Sequence, residues 1–249
     1  MSFTEAKLII FDLDSTLAES KSTLTHSMVE ILERLMSIKK VAIVSGGNFP
    51  QFEKQVLTPF THHECFRNLY LMPTSGTRLY VYENNMWTCV FSRDLTPEEK
   101  QKITNAFSTV LNHVPIVFPA EMYGERLEDR GSQMSFSALG QNAPVSVKAL
   151  WDSDHKKREE IVRELKKIIP EFNIQIGGMT TIDVTALGAN KATAIDRLQE
   201  YLKLTDEEVI FVGDALFPGG NDYPAISTGV ECIKVQNPAH TEKLIQSWF

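Results

Sequence analysis

The sequence lacks several features that would indicate a secreted protein, a membrane protein or a fold stabilised by a structural metal ion. It has only three cysteines, Cys65, Cys89 and Cys232, with no CxxC spacing, so neither a disulfide framework nor a structural zinc site is indicated. It has no run of about 18 apolar residues, so no transmembrane helix is expected. The amino-terminal stretch lacks the charged start and long apolar run of a signal peptide. We therefore expect a cytoplasmic protein with reduced cysteines and no membrane partner.

Basic residues are in the minority. There are 25 Lys and Arg against 32 Asp and Glu, which gives a net charge of -7. This balance argues against non-specific nucleic-acid binding, which needs a basic surface. A local cluster of basic side chains with a metal ion can still bind an anionic substrate. With 43% hydrophobic residues in 249, the chain is long enough for one large or two modest globular domains.

Short apolar runs and helical patterns alternate at both ends of the chain. The runs at 8–11, 41–44 and 209–212 are unbroken, as in parallel strands buried on both faces, and they are followed by an acid, a serine and a glycine respectively. This order predicts an α/β fold with a Rossmann-like parallel-sheet core, whose ligands bind at the carboxyl ends of the strands. The predicted strands are Leu8 to Phe11, Val41 to Val44, Val209 to Val212 and Cys232 to Val235, and the predicted helices are 27–37 and 191–203.

The middle of the chain has a different pattern. A capping box at Thr96-Pro97-Glu98-Glu99 predicts the start of a helix. Residues 134–138 alternate strictly between apolar and polar, which predicts an antiparallel strand in a sheet with one face exposed. A charged helix at about 154–169 and strands at 174–176 and 182–184 follow. We therefore predict an inserted α+β cap domain over 86–186, between core segments 1–85 and 187–249.

Two strand ends carry carboxylates. Asp12 and Asp14 directly follow the first strand, and Asp214 follows the strand at 209–212. Like charges this close disfavour joint ionisation unless a cation or a proton compensates, and Mg²⁺ prefers such oxygen ligands. Taken singly, the carboxylates of either loop are also explained as turn or helix-capping residues. Because the two loops follow strands of the same predicted sheet, their positions favour a shared functional site.

Ser45 and Lys191 are further candidates. Ser45 is followed by Gly46 and Gly47, so the loop offers a hydroxyl and close backbone N–H groups to a phosphate; a loop that merely needs glycine is the alternative. Lys191 comes near a helix start, where a positive charge opposes the helix dipole. This suggests another use for Lys191, although a solvated surface lysine has the same pattern.

Together these motifs resemble those of the haloacid dehalogenase superfamily. DLDST after the first strand, SGG after the second, Lys191 and the GDALFPGGND loop match its four motifs in residue type and order. The cap between the second and third motifs, and the PGGND ending, are similar to sugar-phosphate phosphatases and eukaryotic-type phosphomannomutases. The stretch Arg130 to Gly140 resembles the mutase pattern RNGMLNVSPIG, and Gly177 to Val184 resembles GGxxSFDV.

The resemblance implies roles for the core residues. Asp12 would be the nucleophile that becomes an aspartyl phosphate, and Asp14 would be the general acid and base. Ser45 and Lys191 would hold the phosphoryl oxygens. Asp222 would orient Lys191 or a metal-bound water. The implied cofactor is Mg²⁺, with Asp12, Asp14 (through its carbonyl) and Asp214 as ligands.

The resemblance also implies a substrate site, in which this chain departs from the mutases. Mutases hold a second, distal phosphate with arginines, and two of those positions are lysine here and one is glutamine. Arg to Lys loses a bidentate fork and Arg to Gln loses the charge, each worth about 1–3 kcal/mol. The implied substrate-binding residues are Lys21, Gly46, Arg130, Gln141, Lys148, Thr181 and Asp183.

Three functions stay open at this point. The first is hydrolysis of a small phosphorylated sugar by water attack on the aspartyl phosphate, which needs no distal clamp. The second is a phosphohexomutase that interconverts hexose 1- and 6-phosphates, and the third is a non-catalytic phosphosugar-binding module. The resemblance to the mutases also implies a homodimer through the cap helices, although an apolar helix face that packs on the cap sheet has the same pattern.

Overall fold

The structure is a computed structural model that describes residues 3–20, 22–119 and 121–249. The chain divides into two compact units, Met1–Ser92 with Ala189–Phe249, and Arg93–Gly188. We call the first the core unit and the second the inserted unit. Over the described residues, no helix combines the length and apolar character needed to cross a membrane.

The secondary-structure elements are numbered here in chain order. The strands are β1 (Leu8–Asp12), β2 (Lys40–Val44), β3 (Leu69–Met72), β4 (Arg78–Glu83), β5 (Met86–Ser92), β6 (Leu127–Asp129), β7 (Gln133–Ser137), β8 (Phe172–Ile176), β9 (Thr181–Ala186), β10 (Val209–Gly213) and β11 (Glu231–Lys234). The helices are α1 (His26–Met36), α2 (Phe49–Phe52), α3 (Pro73–Gly76), α4 (Pro97–His113), α5 (Val145–Trp151), α6 (Lys156–Ile168), α7 (Lys191–Leu202) and α8 (Pro238–Gln246).

The core unit is built on a sheet with strand order β11-β10-β1-β2-β3-β4-β5. The strands from β11 to β3 are parallel, and β4 and β5 extend the sheet antiparallel. β1 lies between β10 and β2, with Phe11 opposite Val212 and Asp12 opposite Val44. Because parallel strands end at the same edge, the loops after β1, β2 and β10 are neighbours.

Both faces of the core sheet are covered, which is why its central strands are apolar throughout. Along β1, successive side chains point to opposite faces. Phe11 belongs to an apolar cluster with Leu32 of α1, whereas Ile10 belongs to a second cluster with Leu198 of α7. Each fully buried side chain of this size stabilises the fold by about 1.5–3 kcal/mol.

The inserted unit contains an antiparallel sheet with strand order β6-β7-β9-β8. Helix α4 begins at the predicted capping box, in which the Thr96 hydroxyl accepts from Glu99 N (3.2 Å) and Thr96 N donates to Glu99 Oε2 (2.8 Å). Residues of α4, α6 and the apolar side of the sheet form one cluster, with Phe107 stacked on Phe136. The predicted fold class, an α/β core of Rossmann type with an inserted α+β unit, is confirmed.

The structure differs from the predicted boundary at residue 86. Strand Met86–Ser92 pairs with β4 and therefore belongs to the core sheet. The two strands are joined by Asn84 (φ 51°) and Asn85 (φ 61°), a left-handed pair typical of a tight hairpin. The sequence of β5 mixes polar and apolar residues without regular alternation because it is a largely exposed edge strand.

The prediction that one face of the inserted sheet is exposed is wrong for its central strands. Every residue of β7 is buried, including the polar ones. The Ser135 hydroxyl donates to Asp183 Oδ1 (2.6 Å), and the Ser137 hydroxyl donates to the carbonyl of Gly140 (3.0 Å). Polar groups are buried readily when they are hydrogen-bonded. The alternation of apolar and polar residues at 134–138 therefore indicates that one face of the strand is polar, but not that this face is exposed.

Candidate active site

Asp12 is the last residue of β1 and is only 3% exposed. The chain turns sharply after it, since Leu13 O accepts from the amides of Leu17 (2.9 Å) and Ala18 (3.1 Å). Ser15 takes φ 64° within this turn, a left-handed conformation that favours glycine. The turn buries Asp12 at the sheet edge and leaves Asp14 half-buried beside it.

Lys191 faces Asp12. Lys191 is the first residue of α7. Asn190 caps the start of this helix, because its side-chain oxygen accepts a hydrogen bond from Thr193 N (3.1 Å). Lys191 is 4% exposed, and its ammonium contacts Asp12 Oδ1. It also donates to the carbonyl of Val44 (3.0 Å), the residue before Ser45. Its position at a helix start thus has a use within the site, at the ends of β1 and β2.

Asp222 is the second carboxylate at Lys191. Its Oδ1 lies 3.0 Å from Lys191 Nζ, and its Oδ2 accepts from Ala215 N (3.0 Å). Gly213 makes room for this carboxylate, since a Cβ there would lie 2.4 Å from Asp222 Oδ2. Gly220 lets the loop fold back on itself, since a Cβ there would lie 2.0 Å from the carbonyl oxygen of Ala215. The GDALFPGGND segment is therefore folded around a fully buried carboxylate.

An acidic cluster lies at the ends of β1 and β10. Asp12, Asp214 and Asp222 each offer a carboxylate oxygen, and these oxygens lie within 4.8 Å of one another. The Thr16 hydroxyl donates to Asp214 Oδ1 (3.3 Å) and orients that side chain. A set of oxygen donors with excess negative charge suits a hard divalent cation, so these residues fit a Mg²⁺ ion.

The pKa values reflect this crowding. Burial raises the pKa of Asp12 to about 7; Lys191 opposes the shift, and the charges of Asp222 and Asp214 add to it. Burial and the charge of Asp222 also raise the pKa of Asp214. For Lys191, burial would lower the pKa, but Asp12 and Asp222 outweigh it and the pKa is raised. Lys191 is therefore charged, and full ionisation of the carboxylates favours one more cation.

Ser45 lies in the neighbouring loop, directly after β2. The residue is buried, and its hydroxyl accepts from Gly47 N (3.4 Å). Ser45 N donates to the carbonyl of Met72 at the end of β3 (3.2 Å). Gly46, which lies between Ser45 and Gly47, is partly exposed. The loop therefore holds its hydroxyl next to Val44, whose carbonyl receives the Lys191 ammonium.

The predicted substrate residues of the inserted unit form hydrogen-bonded groups within that unit. Gln141 Nε2 donates to the carbonyl of Ser135 (3.0 Å), and Lys148 Nζ donates to the carbonyl of Gln141 (3.0 Å). Asp183 accepts from Ser135, and Thr181 is buried at the start of β9.

Arg130 is paired with an acid in the same unit. Its Nε and Nη2 lie 2.8 and 2.7 Å from Glu128 Oε2, and its Nη1 donates to Gln133 Oε1 (3.2 Å). Lys21 lies outside the described residues.

Sequence reasoning missed several partners of these residues. Glu128 was not singled out, although it precedes Arg130 by two positions on the same side of an extended chain. The sequence places Ser135 only within an alternating strand, and it gives Thr16 no partner. The pairing of Ser135 with Asp183 depends on strand register, which no single-sequence pattern gives.

Comparisons with known proteins identify a family and several relatives that cover nearly the whole chain. The family model described as haloacid dehalogenase-like hydrolase matches residues 9–241. Phosphomannomutase 2 of Dictyostelium discoideum is 27% identical over 261 aligned positions, covering 100% of this chain and 99% of that protein. The phosphomannomutase of Saccharomyces cerevisiae is 25% identical, covering 97% and 94%.

Solved structures show the same fold. A C-terminally truncated IMP-nucleotidase of Plasmodium falciparum superposes with a TM-score of 0.76 at 18% identity, covering 98% of this chain and 71% of that one. A haloacid dehalogenase-like hydrolase of Bacteroides thetaiotaomicron superposes with a TM-score of 0.67 at 16% identity, covering 98% and 100%. Since the family model matches residues 9–241 of the 249, this chain belongs to the haloacid dehalogenase-like hydrolase family.

Proposed function

We propose that the chain is a Mg²⁺-dependent phosphatase that hydrolyses a small phosphorylated sugar through an aspartyl phosphate. The observation that carries the proposal is the contact of the buried Asp12 carboxylate with Lys191, beside two further carboxylates. This arrangement combines a nucleophile, a fixed positive charge and a place for a cation. Those are the parts that phosphoryl transfer needs.

In the proposed reaction Asp12 attacks phosphorus, and the bond from phosphorus to the sugar oxygen breaks. Asp14 gives its proton to that leaving oxygen. Asp14 then takes a proton from water, whose oxygen attacks the aspartyl phosphate and frees Asp12 and inorganic phosphate. Lys191 and the Ser45 hydroxyl hold the phosphoryl oxygens throughout.

The cation would be held by the side chains of Asp12 and Asp214 and by the backbone carbonyl of Asp14. Mg²⁺ supplies positive charge that offsets the phosphate and the surrounding carboxylates. Asp222 contacts Lys191 and the amide of Ala215, and we assign it to orienting Lys191. Lys191 and Asp222 remain in place as a fixed ion pair in this scheme.

The second candidate is a phosphohexomutase, since the relatives named above are phosphomannomutases. In that case the inserted unit would act as a cap that grips a second phosphate. The contacts of its cations favour the phosphatase instead. Arg130 is paired with Glu128, and Lys148 donates to the Gln141 carbonyl, so a distal phosphate would compete with existing partners.

The test is an incubation of the purified protein and Mg²⁺ with mannose 1-phosphate and glucose 1-phosphate. Inorganic phosphate and the 6-phosphate isomer are followed together, with and without a hexose bisphosphate, and Asp12→Asn is the blank. Phosphate release without isomer supports the phosphatase. Activator-dependent isomer with little phosphate identifies a mutase, and no Mg²⁺-dependent turnover of any phosphate ester leaves a binding module.

A further inference from the structure

The short segment α3, which connects β3 and β4, is a turn whose backbone is left-handed and not helical. Thr74 (φ 50°), Ser75 (φ 59°) and Gly76 (φ 82°) are consecutive residues in the left-handed region. Only glycine adopts this region without strain, and a β-branched residue such as threonine is the least suited to it. The reaction proposed above gives these residues no part, so the strain needs another explanation.

One side of this turn is bonded to the loop that carries Ser45. Thr74 N donates to the carbonyl of Gly47 (2.7 Å), and Ser75 N donates to the carbonyl of Ser45 (2.9 Å). Both hydrogen bonds run from left-handed residues to the Ser45 loop. The position of the Ser45 hydroxyl therefore depends on the conformation of Thr74 and Ser75.

The other side of the turn lies against α7. A Cβ on Gly76 would lie 2.5 Å from the Cβ of Ala194, so the two backbones approach as closely as glycine permits. Arg197 Nη1 donates to the carbonyl of Gly76 (2.8 Å). Ala194 is in the first turn of the helix that begins at Lys191, and the same turn thus touches the element that carries the Lys191 ammonium.

Hydrogen bonds between Thr74 and Thr77 stabilise the strained conformation. Thr74 is 1% exposed, and its hydroxyl lies 2.7 Å from the hydroxyl of Thr77. The Thr77 hydroxyl donates to the carbonyl of Thr74 (2.8 Å). Strained residues persist where the surrounding contacts over-determine them, and they cluster at functional sites.

We infer that the Thr74–Gly76 turn is a positioning element of the candidate active site. Its left-handed backbone sets the Ser45 loop against the first turn of α7, and so fixes the Ser45 hydroxyl relative to the Lys191 ammonium. None of its residues takes part in the chemistry. The inference rests on the proposed function only in that these two groups are expected to hold a phosphoryl group.

The test compares one strained substitution at two left-handed positions. Ser75→Val places a β-branched side chain in the turn, and Asn85→Val does the same at φ 61° in the exposed β4–β5 hairpin. Ser75→Asn serves as the conservative rescue, since asparagine tolerates the left-handed region. Hydrogen exchange of the full chain is followed by mass spectrometry over residues 44–48 and 190–195.

Ser75→Val is expected to speed exchange about tenfold in both segments, whereas Asn85→Val speeds it only around its own hairpin. Ser75→Asn should exchange as the wild type does. The inference is overturned if Ser75→Val leaves both segments protected, or loosens the whole chain uniformly. If Ser75→Val does not fold, Gly76→Ala is used instead; adding Ala194→Gly should then restore part of the protection.

Turnover of para-nitrophenyl phosphate is the second readout. Ser75→Val should lower kcat about 100-fold, with a smaller change in KM, because small displacements of catalytic groups are costly. Asn85→Val should keep wild-type kcat at temperatures where both variants are folded. A wild type that turns over neither para-nitrophenyl phosphate nor a sugar phosphate would contradict the proposed function, and the exchange result would still decide the role of the turn.

Discussion

Lys191 Nζ lies 3.0 Å from Asp222 Oδ1, and both side chains are removed from solvent. The same ammonium contacts Asp12, so one positive charge is paired with two buried carboxylates, and Asp214 lies beside them. A buried charge left without a partner is expensive, and this site carries more negative than positive charge. We therefore expect the folded chain to gain stability when a cation binds to these carboxylates.

Removal of Lys191 tests this balance. In Lys191→Met, Asp12 and Asp222 lose their shared cation, and we expect the free energy of unfolding to fall by about 3–5 kcal/mol at pH 8 without Mg²⁺. Added Mg²⁺ should recover part of the loss, because it binds the folded state. Urea titrations with and without Mg²⁺ measure both effects.

The control for Lys191→Met is Lys7→Met, which removes an exposed lysine paired with Glu208. Exposed ion pairs contribute about 0–1 kcal/mol, so this variant should stay close to wild type. Equal losses in the two variants would mean that Lys191 is not a partner of buried charge.

The pKa of Asp12 predicts how stability depends on pH. Burial raises this pKa from 3.8 to about 7 in the metal-free folded chain. Between these values the folded chain keeps a proton that the unfolded chain has released. The contribution of Asp12 to the free energy of unfolding is therefore largest at low pH and falls as pH rises through this window. Urea titrations of wild type and Asp12→Asn from pH 5 to 8 measure it, and the variant should show a shallower decline.

Mg²⁺ binding should have the opposite pH dependence. The cation requires ionised Asp12, so the proton competes with it below pH 7. At a fixed Mg²⁺ concentration we expect a larger increase in Tm at pH 8 than at pH 6. The difference should shrink in Asp12→Asn, which has no proton to release; an unchanged difference would assign the competition to another group.

The pairing of Arg130 with Glu128 predicts a change in ligand preference. In Glu128→Gln the guanidinium loses its anionic partner, and it becomes available to a second phosphate. A charged hydrogen bond contributes about 1.5–3 kcal/mol, so the affinity for a hexose bisphosphate should rise about tenfold or more. Isothermal titration of the bisphosphate against the matching monophosphate measures the preference.

Glu125→Gln is the control for Glu128→Gln. It removes the same charge from an exposed residue for which no contact with Arg130 is seen. Comparable gains in both variants would show that net charge governs the affinity, and that the pairing with Glu128 does not.

The sequence was most informative where chemistry and topology coincide. Asp12, Ser45 and Asp214 were predicted because each follows a buried apolar run, and parallel strands bring such ends together. Lys191 was predicted from an electrostatic mismatch at a helix start. Each of these signals lies in a short stretch of sequence, and the fold brings the stretches close to one another.

What the sequence could not give depends on pairing across distance. β5 was assigned to the wrong unit because an exposed edge strand has no clear period. The engagement of Lys148 by the Gln141 carbonyl follows from a loop conformation. The left-handed turn at Thr74–Gly76 is not visible in the sequence either, because two of its three residues, Thr74 and Ser75, are not those that this backbone favours.

The buried pair of Arg158 and Asp152 gives the last prediction. Arg158 Nε donates to Asp152 Oδ2 (2.7 Å), with side-chain exposures of 1% and 0%. The guanidinium also contacts the carbonyls of Gly177 and Gly178, in the turn that leads to β9. Arg158→Met would leave the Asp152 carboxylate buried with only backbone donors, and should cost about 3–5 kcal/mol.

The double variant Asp152→Asn with Arg158→Met tests whether that cost belongs to the pair. Because it removes both charges, its loss should be smaller than the sum of the single losses. Arg163→Met is the control, since this arginine is 61% exposed and its pair with Glu160 should contribute about 0–1 kcal/mol. Additive losses in urea titrations would show that Arg158 stabilises the unit by bonding the glycine carbonyls, and that Asp152 acts independently as a cap for α6.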